Sequence, residues 1–456
     1  IFVISRLVFL EFNHLKKDLI KSQHDFKDLD KQYKILKNKE KELINIYEIR
    51  KYYSEVIKDL DSELLYLLDQ KLNNHLDLII NQIPINFELN NGIILSKYNT
   101  KLLSGIHLTY PGSAFINIHE NKIFLISSKG IIGSGELKDE LNLYPIKSNI
   151  YDFINKPYFK SKKEFSIKDM EIINDKVYIS YVSEKKEGCF NIALLVANLN
   201  FEKLNFKKFF DPEECLISNL DSKENKEIDY FTINQSGGRI VKLNDNEILI
   251  TIGDFRYRYL AQSENSIFGK IIKVSNDNNG NYEIISMGHR NPQGLIKVKN
   301  KNILLSTEHG PYGGDEINLI ELYQEKILNY GWPLSSYGEH YGQNDDLKKM
   351  KYKKYPLNKS HEDYGFIEPL KYHDPNYGIS EITQINDNLF VYSSLKKEEL
   401  IFFKLGNKNK SIEEVVTLNV KERVRDIKYS NNKLYLFLEN SSSIGVIKIE
   451  NPEQLG

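Results

Sequence analysis

The sequence predicts a mostly β fold, a six-bladed β-propeller preceded by an N-terminal helical, coiled-coil-like extension. Two observations carry the prediction. After Pro84 one hairpin pattern recurs six times, starting near residues 113, 167, 238, 293, 379 and 424. Each copy is an apolar strand, a polar turn bearing Asn or Asp, and a second apolar strand running into a polar loop. Repetition of antiparallel units at this period is propeller grammar, and the irregular spacings put the excess residues in loops. Before Pro84, by contrast, positions 13–80 hold neither Pro nor Gly and space their apolar residues helically. The chain therefore divides into an extension at 1–84, a linker at 85–104 and a propeller at 105–450.

In the extension, Phe26, Leu29, Tyr33, Leu36, Leu43 and Tyr47 follow a 3-4 spacing, with Ser22 and Glu40 as polar members of the track. That is a coiled-coil-like seam. A second run from Leu60 to Ile79 continues the helical period, so a helical hairpin and one long helix that pairs with another copy both fit. The opening IFVISRLVFLEF is apolar but too short for a full membrane span. It reads as the tail of a signal or anchor segment, or as the start of the helix that follows.

The propeller segment is rich in strand formers, and the whole chain has 29 Tyr and 23 Phe against one Trp. The polar run at 335–366, marked by Gly and Pro, reads as an insertion at a rim. Across the chain 62 basic residues meet 63 acidic ones, a net charge of -1. That balance argues against a nucleic-acid partner or a polybasic membrane surface, even with a local run such as KKMKYKK. The two cysteines, Cys189 and Cys215, lie in one region, and a disulfide and two thiols both fit.

The chemistry concentrates in two polar stretches, GHRNPQGL at 288–295 and STEHGPYGGDEIN at 306–318. The segment between them, LIKVKNKNILL, reads as strand–turn–strand, which returns both stretches to one end of a sheet. Gly310-Pro311 is a turn that can present carbonyls, the oxygen ligands a hard cation such as calcium takes, beside Asp315 and Glu316. Arg423 and Arg425 alternate in RVRD, so in an extended segment they share a side. With Lys396 and Arg290 they make four cations at the loop ends of different repeats. If these converge, the ligand is an anion with several carboxylates or phosphates; otherwise they are surface ion pairs, with Asp426 the obvious partner. No Ser-His-Asp or Cys-His arrangement and no phosphate-binding glycine motif is present.

In this order, GHRNPQGL, STEHGP…DEINLI, NYGWP at 329–333 and RVRD at 423–426 resemble the glucose/sorbosone dehydrogenase family. AQSENSIFGKII at 261–272 adds to the likeness, which covers about residues 105–450. The resemblance implies a six-bladed propeller holding pyrroloquinoline quinone (PQQ), bridged by Ca2+. Such a protein is a quinoprotein oxidoreductase acting on CH–OH groups and oxidises an aldose at C1. By position, Arg290 and Asn291 match cofactor-contacting residues, with Arg290 also near the substrate. Lys396, Arg423 and Arg425 match the clamp on the quinone carboxylates. The carbonyls of Gly310 and Pro311 match calcium ligands, with Asp315 and Glu316 matching a loop that serves structure or a second calcium.

The resemblance further implies a sugar or other polyol substrate, an electron acceptor, and a periplasmic location, free or membrane-anchored. One position departs from the family. The general-base His of its H-x-x-G-R stretch is Gln235 here, in QSGGR, and an amide cannot take a proton near neutrality. His289, Glu308 and His309 are the nearest replacements by motif. Either the site oxidises sugars slowly or on another substrate, or the chain is a non-catalytic propeller that binds a carbohydrate or protein on a helical stalk.

Overall fold

A computed structural model describes residues 83–99, 113–128, 130–154, 166–218, 230–275, 280–342, 345–406, 409 and 411–449. The expected helical extension and its coiled-coil seam lie outside the described residues, as does the apolar opening. Six mainly antiparallel sheets follow one another along the chain. Their innermost strands are Ala114–His119, Ile167–Ile173, Gly237–Lys242, Pro292–Lys297, Ile379–Gln384 and Val424–Ser430. Each packs against the next, and the sixth against the first, which closes a six-bladed propeller. We number the blades 1 to 6 in that order. The starts expected from the repeated hairpins fall within one residue of these strands.

The turns explain why the hairpins form. Asn174-Asp175 and Asn431-Asn432 hold left-handed backbone at both central positions of two-residue turns. That conformation matches the twist of the flanking strands, and Asn and Asp tolerate it best after Gly. Between blades, six hydrophobic clusters fill the six gaps. Phe190, Ile192 and Leu194 of blade 2 meet Ile240, Ile250 and Ile272 of blade 3, for example. Middle strands are therefore buried on both faces, and Cys189–Asn198 reads as a continuous apolar run for that reason.

The expected linker at 85–104 requires correction. Residues 85–99 of it form two strands, Ile85–Glu88 and Ile94–Asn99. The second of these pairs antiparallel with Ser443–Lys448, Leu95 opposite Ile447. Strands from both ends of the propeller segment thus complete blade 6, which ties the ring shut without a gap. Cys189 and Cys215 form a disulfide. It joins the third strand of blade 2 to the short Leu216–Ile217 strand beside it, and closing a loop of this size typically contributes roughly 2–4 kcal/mol.

The insertion spans the stretch between Asp315–Glu321 and Lys371–His373 of blade 4. It carries Leu328–Asn329, which adds to blade 3, and the helix Asp345–Lys354. Two Asp in the first turn and three Lys in the last suit the helix dipole.

Inner strands of a propeller cannot pair with each other, so their N–H groups need other acceptors. Here carboxylates supply them. Asp169 of blade 2 accepts from Ile240 N of blade 3 at 2.8 Å, and Asp426 of blade 6 from Ile116 N of blade 1 at 2.8 Å. Arg239 of blade 3 reaches Asp169 at 2.9 Å, Glu381 of blade 5 at 2.5 Å and Asp426 at 3.2 Å. Asp426 therefore belongs to this axial cluster and is not the partner of Arg423 or Arg425. Burial pushes Asp169 up to about 6 and Glu381 well above the usual range, against the opposing charge of Arg239.

Candidate functional site

The site begins with a 3-10 turn, Ile233–Gln235, just before the inner strand of blade 3. Gly253 lies against this turn: a Cβ there would sit 2.1 Å from the Gln235 carbonyl, so only glycine permits the approach. The next residue, Asp254, is fully buried. Its Oδ2 accepts from Trp332 Nε1 at 2.8 Å and its Oδ1 from Arg256 N at 2.8 Å. In the amide orientation its neighbours require, Gln235 Nε2 donates to Asp254 Oδ1 at 3.1 Å. Its Oε1 then accepts from Arg290 Nη2 at 2.9 Å and Arg256 Nε at 3.0 Å. Burial pushes Asp254 up to about 6, although Arg290 opposes the shift.

Arg290 and Asn291 enter from the loop before blade 4, facing His309 across the Pro292–Glu308 pairing. The two polar stretches therefore do share one sheet end. Arg290 lies over the Trp332 ring at 5.5 Å and donates from Nη1 to the His309 carbonyl at 2.8 Å. Asn291 is buried and fully engaged: Oδ1 accepts from Gly237 N at 3.1 Å and Gln293 Nε2 at 2.9 Å, and Nδ2 donates to the Asn234 carbonyl.

His289, expected as a catalytic candidate, turns away. It is fully buried and stacks on Tyr330, with one ring nitrogen on Ser286 at 2.7 Å and the other on Glu308 at 2.8 Å. The other oxygen of Glu308 accepts from Arg290 N. Both groups thus position the Arg290 loop and have no atom left for a substrate proton. His309 differs, because its Nε2 is buried without a hydrogen-bond partner. Burial lowers its pKa; Asp315 opposes this, and Arg425 and Arg290 lower it further. Burial and the two arginines thus disfavour its charged form, and its Nε2 is left without a hydrogen-bond partner.

On the facing side, Arg423 Nε and Arg425 Nε share one carboxylate, Glu439, at 3.0 and 2.6 Å. Arg423 Nη1 also reaches the carbonyl of Leu395, the residue before Lys396, at 3.2 Å. Arg425 Nη1 donates to Gln293 Oε1 at 3.2 Å, and Gln293 leads to Asn291. Two arginines thus gather around a single carboxylate, and Arg425 links them through Gln293 to the Arg290 loop. The donors they have left fit a ligand bearing several carboxylates. PQQ meets that requirement.

Calcium fits less well. The Pro311 carbonyl accepts from Tyr341 Oη at 3.0 Å and Asn376 Nδ2 at 3.1 Å. Asp315 accepts from the N–H groups of Gly310 at 2.9 Å, Tyr377 at 2.9 Å and Gly378 at 2.5 Å, which clamps the loop. Glu316, one strand position on, projects to the opposite face toward His361 at 3.5 Å. The two carboxylates therefore do not share a cation. Among the described residues no group of three His, Cys, Asp or Glu side chains can hold a metal. The protein offers calcium two carbonyls, fewer than the six to eight oxygens it takes.

Sequence reasoning missed Asp254, Arg256, Glu439 and Tyr341. Asp254 stands in TIGD, where the glycine drew the attention and the acid is the functional group. Glu439 is an ordinary strand-end residue by any local signal.

A six-bladed propeller with a basic rim at one sheet end defines the class of protein. The glucose/sorbosone dehydrogenase family pattern matches residues 169–447. The chain belongs to that family. Aldose sugar dehydrogenase YliI of Escherichia coli is 26% identical over 237 residues, 48% of this chain and 60% of that protein. The uncharacterized protein slr1608 of Synechocystis is 27% identical over 243 residues, 47% of this chain and 55% of the relative. The chain thus spans less than two thirds of the curated relatives it matches. Quinoprotein glucose dehydrogenase B of Acinetobacter calcoaceticus is 35% identical over 125 residues, 21% of this chain and 25% of that protein. A crystal structure of glucose dehydrogenase superposes with a TM-score of 0.59 at 21% identity, covering 74% of this chain and 96% of that one. The apo aldose sugar dehydrogenase of Escherichia coli gives 0.57, also at 21% identity, covering 74% and 94%. Both support the fold.

Proposed function

We propose that the chain is a PQQ-dependent sugar dehydrogenase-like protein that oxidises the C1 hydroxyl of an aldose and passes electrons to an acceptor. The observation that carries this reading is the gathering of Arg423 and Arg425 around Glu439, with Lys396 the residue after the Leu395 carbonyl that Arg423 reaches. When bound, the quinone supplies a hydride acceptor. Lys396, Arg423 and Arg425 would hold its carboxylates, and Arg290, backed by Trp332 and Asp254, would orient the group that reacts. Gln235 can hydrogen-bond a sugar hydroxyl but cannot remove its proton. Among the three replacements considered, only His309 keeps a free ring nitrogen, and we assign it the weaker base role. Were calcium to bind, the Gly310 and Pro311 carbonyls would be the protein oxygens to hold it, the latter now accepting from Tyr341 and Asn376, and no proton movement depends on it.

A second reading, a propeller that binds a sugar without oxidising it, is favoured by the locked Gln235 amide. The Cys189–Cys215 disulfide supports placement in an oxidising compartment such as the periplasm. Among the described residues no helix is long and apolar enough to cross a membrane.

The clamp is tested by substitution. Lys396→Gln and Arg425→Gln are each expected to weaken PQQ binding about tenfold or more, because each removes a charged partner of a carboxylate. Lys122→Gln, in an outlying ion pair with Glu136 on blade 1, is expected to leave it unchanged. Equal affinities in all four proteins would remove the clamp from the reading.

A further inference from the structure

The loop after the second strand of blade 3 holds two consecutive non-glycine residues, Phe255 and Arg256, at φ +50° and +71°. Such backbone is uncommon and costs energy, so the surroundings must hold it in place. They do so by hydrogen bonds to the site itself. Phe255 N donates to the Gln235 carbonyl at 2.9 Å, Arg256 N to Asp254 Oδ1 at 2.8 Å, and Tyr257 N to the Asp254 carbonyl at 2.7 Å. The result aims the Arg256 side chain at Gln235, where its Nε lies 3.0 Å from the amide oxygen. The guanidinium is then sandwiched from behind by the exposed Tyr230 ring, 3.9 Å away.

No ion pair offsets this charge among the described residues: its side-chain partners there are the Gln235 amide and the Tyr230 ring. Its charged neighbours are the like charges of Arg290 and Arg258. Burial, first, and those two arginines lower its pKa to about 10, still ionised at neutral pH. A planar cation, held by stacking, has no partner on its two terminal nitrogens among the described residues, beside the residue that a reacting sugar would meet. Neutral sugars have no use for that charge, whereas a carboxylate or phosphate takes a guanidinium in a bidentate pair.

We propose that Arg256 is a specificity residue that recognises an anionic group on the substrate, so that the site prefers acidic sugars, uronic acids or sugar phosphates, over neutral aldoses. The inference rests on the sugar-binding reading above and refines its substrate. It is separate from the quinone clamp, since Arg256 comes from blade 3 and the clamp from blades 5 and 6.

The test is calorimetric binding of glucuronic acid, glucose 6-phosphate and glucose to the purified protein, with and without PQQ. At least one acidic sugar is expected to bind about tenfold or more tighter than glucose, and added salt to weaken that ligand selectively. The glucuronic acid and phosphate arms identify which anion is meant. Arg256→Gln is expected to abolish the preference, read as the ratio of acidic-sugar to glucose affinity in the same protein. Arg256→Lys, which keeps the charge but loses the fork, should retain part of the preference. Equal binding of glucose and both anions, or an unchanged ratio in Arg256→Gln, would overturn the proposal. So would a loss of PQQ affinity in that variant, because Arg256 would then serve the quinone. A protein that binds PQQ without preferring acidic sugars refutes this inference alone. One that fails to bind PQQ refutes the dehydrogenase reading, and the sugar preference is still read on the same sample.

Discussion

Gln235→His is expected to raise aldose oxidation by the quinone-loaded protein by about 10²-fold or more, the range a positioned general base contributes. The side chain at 235 already reaches Asp254 Oδ1 and faces Arg290 Nη2. An imidazole there would donate one ring N–H to the carboxylate and keep the other nitrogen as acceptor, which is how an acid fixes a histidine tautomer. Arg290 and Arg256 disfavour its protonated form, so it would work as a neutral base. The gain should fall on kcat, with KM little changed, because the proton moves only as the substrate reacts. In the native chain, His309→Gln should remove the residual turnover. Steady-state kinetics on the three proteins decides the matter. An inactive Gln235→His protein that still binds the quinone would show that position 235 is not aligned with a substrate hydroxyl, and would favour the non-catalytic reading.

The second large effect concerns the axial cluster around Arg239. Arg239→Met is expected to destabilise the propeller by about 3–5 kcal/mol, because it leaves three buried carboxylates with Lys428 as the remaining cation among them. Asp169, Glu381 and Asp426 all bond that guanidinium, and burial holds Asp169 and Glu381 above their ordinary values. A carboxyl whose folded pKa is raised stabilises the fold fully below its unfolded value of 3.8. That contribution is lost as pH rises through the folded value of about 6 for Asp169. Removing Arg239 raises these values further, so the variant's deficit should grow as the solution goes from about pH 5 to about pH 8. Urea midpoints of both proteins at the two pH values measure it. A deficit that shrinks with rising pH would mean that the carboxylates find another counter-charge.

Much of the propeller was legible because its determinants are local. Alternating apolar residues around Asn- and Asp-bearing turns placed all six inner strands, and Asn174-Asp175 or Asn431-Asn432 need no distant partner to turn the chain. The strands at 85–99 were not legible. Leu95 finds its partner in Ile447 at the far end of the chain, and nothing in the polar sequence around it signals that closure. The site divides the same way. Arg290, Asn291, Gly310 and Pro311 stand in two short motifs on adjacent strands, so one hairpin brings them together. Glu439, Asp254 and Arg256 join only through tertiary packing. Asp426 misled for the opposite reason: its sequence neighbours are Arg423 and Arg425, but strand alternation turns it into the axial cluster toward Arg239.

The most direct measurement is a calorimetric titration of the purified protein with PQQ, with and without calcium. The account predicts one equivalent bound at about 10 μM or tighter, weakened by salt, with calcium improving the fit only when the quinone is present. Absence of binding at about 100 μM quinone in calcium-containing buffer would contradict it. The basic rim of Lys396, Arg423 and Arg425 would then hold some other anion, and the propeller would stand as a recognition scaffold.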